Sequence, residues 1–176
     1  MNEIIRKNGF TYGIISGIVS ILITTLIYSF DVNLFLSGWI TFLKILLFTA
    51  IAIVLLINTK KDLSGIFPFK KAFTTYFIHI LVGLILATIF EIILFNVIDT
   101  SLKDTIKEMS MEFTSNFMEK LGAKTSDINK ALADIEKTDQ FSIIELLKGL
   151  AIYILMGSVY GLILAAIFKS KTTYKI

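Results

Sequence analysis

The sequence predicts an all-α integral membrane protein: four transmembrane helices, N and C termini cytoplasmic, and an extracytoplasmic helical hairpin inserted between helices three and four. Three observations predict it. Of 176 residues, 55% are hydrophobic and 18% charged, against about 25% charged in a typical soluble domain. Four apolar stretches reach the roughly 20 residues that a helix needs to cross a bilayer core. Lysines and arginines gather beside alternate ends of those stretches, the asymmetry that orients membrane helices. The whole chain, 1–176, is read as one membrane domain.

The first span covers residues 9–30. The run after the basic start MNEIIRK is too long for the h-region of a leader, and no small-residue cleavage site follows it. No removable leader is therefore expected. The second span covers 35–58 and is joined to the first by only Asp31-Val-Asn-Leu34, so the two must run antiparallel. A short link carrying Lys60, Lys61, Lys70 and Lys71 leads to the third span, 72–98, with Pro68 suited to a first helical turn. The fourth span, 143–168, opens on Ser142-Ile-Ile-Glu145, the pattern of a capping box.

Arg6 and Lys7 before the first span, the four lysines of the second link, and Lys169, Lys171 and Lys175 at the end all mark one side of the membrane. That side is predicted to be cytoplasmic. The long polar link, 99–142, then lies outside. Its six lysines orient little, because long loops are a weak topological signal.

Within that link Leu102, Ile106, Met109, Phe113, Phe117 and Leu121 recur every three or four residues, the spacing of one face of a helix. Gly122 is a natural stop for it. A second amphipathic helix should follow Thr125-Ser126-Asp127 as cap, with Ile128, Leu132 and Ile135 on one side. No proline separates the first of these helices from the third span, so it could continue that span outward. The two helices are expected to pack on each other or lie on the membrane surface. The sharper expectation is a docking surface for another protein along Met109, Phe113, Phe117 and Leu121, since methionine-bearing apolar faces adapt to partners.

Gly9, Gly13 and Gly17 fall four apart on the first span, and Gly157, Gly161 and Ala165 do the same on the fourth. Small residues let helix backbones approach closely where lipid offers no hydrophobic drive. Both stripes lie in the same half of the bilayer, so spans one and four are expected to cross there. Homodimerisation through one stripe is the competing use.

Ionisable groups at membrane depth are functional candidates, but their partners come first. Lys44 sits about 14 Å from the outer end of span two and Glu91 about 9 Å from that of span three, at 1.5 Å per residue. Snorkelling of the lysine levels the two. An intramembrane polar cluster is therefore expected from Lys44 with Glu91, joined by Glu145 and Lys148. His79 belongs to the inner half, at the level of Tyr12 and Tyr160, either of which could hydrogen-bond its ring. Packing is the simpler role for both groups, a proton or ion path the sharper one.

Other chemistries find no support. Cysteine is absent and histidine occurs once, which removes thiolate and histidine metal sites and nucleophilic triads. No phosphate-binding or nucleophile-elbow motif is present. No catalytic residue, metal or cofactor is expected, and no nucleic-acid partner, because the net charge of +3 is concentrated at span ends.

The glycine-rich first span, the basic link, Gly65-Ile-Phe-Pro-Phe69-Lys-Lys-Ala72-Phe73 and then Phe95-Asn-Val-Ile98-Asp99 at the outer end of span three resemble the bacterial family called domain of unknown function 4199. The likeness continues through a variable polar insertion and a glycine-bearing last span ending in lysines. Where relatives often place a proline after the Ile-Asp pair, this chain has Thr100. The resemblance implies a four-span inner-membrane protein and assigns no catalytic residue. The reading that results is a non-enzymatic structural or accessory component of the bacterial cytoplasmic membrane, meeting the lipid bilayer and either a membrane-protein partner or further copies of itself. The alternative is a small oligomeric transporter or ion conductor using Lys44, Glu91 and His79.

Overall fold

The computed structural model describes residues 2–170 and is all-helical among them. Lys171 and Lys175, two of the predicted orienting charges, lie outside the described residues. Four helices are long and apolar enough to cross a membrane: α1 (Glu3–Phe30), α2 (Gly38–Asp62), α3 (Phe69–Ile93) and α6 (Ile143–Phe168). α4 (Leu102–Lys120) and α5 (Thr125–Lys137) form the hairpin between α3 and α6.

The helix ends differ from the apolar boundaries for local reasons. α1 starts six residues before Gly9 because the Asn2 side chain accepts the Ile4 N–H at 2.9 Å and Glu3 occupies the first turn, where the helix dipole favours an acid. α2 starts at Gly38, not Phe35. The Asp31 carboxylate binds the backbone and side-chain nitrogens of Asn33 at 2.9 and 2.8 Å, turning Val32–Leu36 into a tight 3₁₀ turn, and Ser37 then caps α2. Hydropathy cannot separate such a turn from a helix. Pro68 is the N-cap of α3, one position before the first turn.

α2 ends in a Schellman motif: Gly65 N–H bonds Lys60 O and Ser64 N–H bonds Lys61 O, both at 2.9 Å, with Ser64 at φ 53° and Gly65 at φ 80°. That reversal tucks Phe67 fully into a core of Ala52, Leu56, Ala72, Tyr76, Leu164 and Ala165. Phe67 and Ser170 then bond reciprocally, backbone to backbone at 2.8 Å and Phe67 N–H to Ser170 Oγ at 3.0 Å, tying the link to the end of α6.

α3 is the hub. α1 packs along one side of it and α6 along another, while α2 rests mainly on α1 and α3. The predicted crossing of spans one and four is not formed. A Cβ on Gly9, Gly13 or Gly17 would meet Ile78, Val82 or Leu86, and one on Gly157 or Gly161 would meet Ile80 or Tyr76. Both small-residue stripes close on α3, because its larger side chains fill the grooves that the glycines leave; two smooth faces set against each other would leave a gap.

α3 runs on through a π-helical turn, Leu94–Ile98, in which Asp99 N–H reaches back five residues to Leu94 O at 2.9 Å. The chain breaks there, and α4 begins as a separate helix instead of continuing the span. Gly122, at φ 72°, ends α4 in a second Schellman motif. α5 begins at Thr125 with Lys124 as N-cap and no side-chain cap, so Thr125, Ser126 and Asp127 form its first turn and not its cap. Ile128 is buried and Leu132 and Ile135 are half-buried, as their spacing predicts. Ser142 caps α6 through Glu145 N–H at 3.4 Å.

Candidate functional site

Two regions hold the polar groups that sequence singles out, and a third emerges only from the fold. The first lies inside the α1–α3 contact. His79 is 3% exposed, and its Nε2 stands 2.8 Å from Ser16 Oγ. Neither predicted tyrosine holds the ring. Tyr12 Oη accepts from Asn58 Nδ2 at 2.6 Å and Tyr160 Oη pairs with Thr49 Oγ1 at 3.1 Å. Tyr76 stands between His79 and Tyr160, edge-on to both at 5.9 and 6.4 Å. The glycines bring the α1 backbone close enough for short Ser16, one turn from Gly13, to do what a tyrosine cannot reach. Among the described residues, His79 Nδ1 is buried without a partner.

The second region is the expected charge cluster. The late start of α2 places Lys44 six residues in, about 9 Å deep, level with Glu91. Each side chain is half-buried and feels the other's charge. Among the described residues, however, the ion pairs within 4 Å are Lys148–Glu145 and Lys103–Asp139. Glu145 and Lys148 pair on their own helix at positions i and i+3 and do not join Lys44 and Glu91. A lysine at membrane depth costs about 3 kcal/mol even with relaxation, which is why the unmade Lys44–Glu91 contact matters. His79 lies twelve residues from Glu91, about 18 Å along α3, so the three groups do not form one site.

The third region is the joint between α3 and the hairpin. Phe95 is buried, stacked on Phe141 at 4.2 Å and tilted against Phe35 at 6.1 Å. Leu102 and Ile106 of α4 enter the same cluster. Asn96 donates to Phe141 O at 3.1 Å and accepts from Lys103 Nζ at 2.7 Å, and Lys103 reaches Asp139 at 3.3 Å. Asp99 gathers the Tyr28 hydroxyl at 3.1 Å, the Ser101 hydroxyl at 2.6 Å and the Ser101 and Leu102 N–H groups. The Ser101 hydroxyl first, then Tyr28 and the two N–H groups, hold the Asp99 carboxyl below the usual carboxylate range, against partial burial that pushes it up. The role of Asn96 and Asp99 in this joint does not follow from the resemblance carried by Phe95-Asn-Val-Ile98-Asp99. Two polar residues three apart at the end of an apolar span, followed by a serine, were the available signal.

From this joint α4 extends with its base fixed and its far half bare. Met109 is half-buried beside the 3₁₀ turn, where a groove of about 320 Å³ runs between Leu36 and Phe113. Phe113, Phe117 and Leu121 are 56%, 53% and 70% exposed, and the two phenylalanine rings stack on each other at 6.1 Å. Among the described residues no three histidine or acidic side chains gather as a metal would require.

A family model described as a protein of unknown function, DUF4199, matches residues 11–170. The chain belongs to the DUF4199 family. The match runs from Thr11 in α1, just past Gly9, to Ser170, and so takes in Gly13, Gly17, the Phe67 clasp, the α3 hub and the hairpin joint. No curated protein and no solved structure matches this DUF4199 chain.

Proposed function

We propose that the protein is a non-enzymatic accessory of the bacterial cytoplasmic membrane, with both termini cytoplasmic, that docks a membrane-associated protein through an extracytoplasmic α4–α5 hairpin. The carrying observation is the contrast along α4: Leu102 and Ile106 are buried in the bundle, while Phe113, Phe117 and Leu121 stand exposed about two to four turns beyond Ile106. A rigid base with a bare aromatic stripe is how a helix presents an apolar face to another helix. Arg6, Lys7, Lys60, Lys61, Lys70, Lys71 and Lys169 fall at the opposite end of the spans, which supports the orientation. Within the bundle, Ser16–His79, Asn58–Tyr12 and Thr49–Tyr160 use their polar groups to join helices. That favours a structural bundle over a conducting one.

Mild extraction from the native membrane followed by native mass spectrometry tests the reading. A second protein should accompany the chain and be released by Phe113→Asp with Phe117→Asp. Recovery of the chain alone or only with copies of itself overturns the docking role.

A further inference from the structure

Lys44 and Glu91 lie where the bundle is least tightly closed. α2 has no buried residue before Ala52 and α6 none before Gly161, so toward the hairpin end both helices leave α3 without a sealed contact. Glu91 lies in that stretch of α3 and Lys44 in that stretch of α2, each half-buried and near enough to feel the other's charge. Counted from Gly38 and from Ile98 at the end of the π-helical turn, the two charges stand about 9–10 Å in from the same end of their spans. Among the described residues neither has an ion-pair partner within 4 Å or a hydrogen-bonded one. The nearest other charges on the flanking span, Glu145 and Lys148, already satisfy each other.

Equal depth is the decisive geometric fact. Rotation about an axis normal to the bilayer preserves depth, so only groups at one level can pair reciprocally across such an axis. A positive and a negative group at one level, where α2 and α6 leave the bundle unsealed, are self-complementary under a two-fold operation. We propose that two copies associate through this face, the lysine at position 44 of each chain pairing with the glutamate at position 91 of the other in a ring of alternating charge. Desolvated by lipid and by the partner helices, such a ring holds register and orientation more firmly than an exposed pair does. The face is separate from the hairpin, so the proposal does not rest on the docking role.

Two differently tagged copies, co-expressed and extracted in mild detergent, supply the test. Wild-type chains should co-purify. Lys44→Glu in both copies, or Glu91→Lys in both, should cut co-purification at least tenfold. A Lys44→Glu copy mixed with a Glu91→Lys copy should regain it, because that pairing restores both cross-chain contacts. An internal pair predicts the reverse: rescue only when both changes sit in one chain. Failure of wild-type chains to co-purify, unchanged co-purification of the single variants, or rescue confined to the doubly changed chain each overturns the proposal. Lys44→Met with Glu91→Gln guards against misfolding: it should elute as a monodisperse monomer, and a dimer there also counts against the charge ring. A chain carrying Phe113→Asp and Phe117→Asp should still pair with its copy.

Discussion

Ser16 Oγ and His79 Nε2 join α1 to α3 across 2.8 Å, inside a contact that excludes surrounding solvent from both. Neither group can turn to water if the other is lost. Ser16→Ala should therefore cost about 1–3 kcal/mol of stability. His79→Leu added to it should cost less than the separate effects combined, since the orphaned nitrogen leaves too. Thermal unfolding of the four chains in detergent completes the cycle, and simple additivity would show that the bond contributes nothing.

Close approach sets a second expectation. A Cβ at Gly13 would lie 2.7 Å from Val82 Cβ and 2.9 Å from His79 O, and a backbone oxygen cannot swing aside. Gly13→Val should push α1 off α3 at a cost of about 1–3 kcal/mol. Gly38, with nothing within 4 Å of an added Cβ, is the control: Gly38→Ala should stay within about 0.5 kcal/mol. Surviving folded fraction after a heat step compares them, and equal losses would remove the glycine stripe from the list of packing determinants.

Asp99 gives the joint a pH dependence of known sign. Its folded carboxyl is held below the usual range, so the folded state binds fewer protons than the unfolded one, whose value is about 3.9. Its contribution is complete above that value and is lost as pH falls through the folded one. Protease cleavage within α4–α5 should rise as the pH drops below about 4, and Asp99→Asn should show the looser behaviour at every pH. A variant as acid-sensitive as the parent would place the titrating group elsewhere.

Phe95 and Asn96 hold the hairpin by different means. Phe95→Ala opens a cavity against Phe141 and Phe35, costing about 3–5 kcal/mol. Asn96→Ala instead leaves Phe141 O without its donor and Lys103 with Asp139 alone. Both should raise amide hydrogen exchange in α4 and α5 and leave that of the α1–α3 contact unchanged. Uniform exchange across the whole chain would mean that the hairpin and bundle unfold as one unit.

Much of this fold was legible in the residues. The four spans, the helix stop at Gly122, the opening cap at Ser142, and the faces of α4 and α5 follow from hydropathy, caps and period. What the residues did not reveal is which helix touches which. A span that is apolar all round carries no polar back to mark its buried face, so the partner of the Gly9–Gly17 stripe is decided by shape, through Ile78, Val82 and Leu86. The same blindness assigned His79 to the tyrosines, because level along a helix was readable and azimuth between helices was not. Lys44 and Glu91 were placed at a common depth, but their missing contact depends on how loosely α2 lies near its start. The hairpin joint stayed hidden because Asn96 and Asp99 act through Phe141 and Tyr28, 45 and 71 positions away.

The central position of α3 has a consequence for biogenesis. During synthesis α1 and α2 enter the bilayer first, and α1 then waits there with its glycine groove and Ser16 facing lipid. The arrival of α3 gives α1 its partner, and α6, made last, closes the Phe67 clasp from the other side. A ribosome that stalls before the third span thus leaves a hairpin of helices with its main docking ridge missing, a natural substrate for membrane quality control.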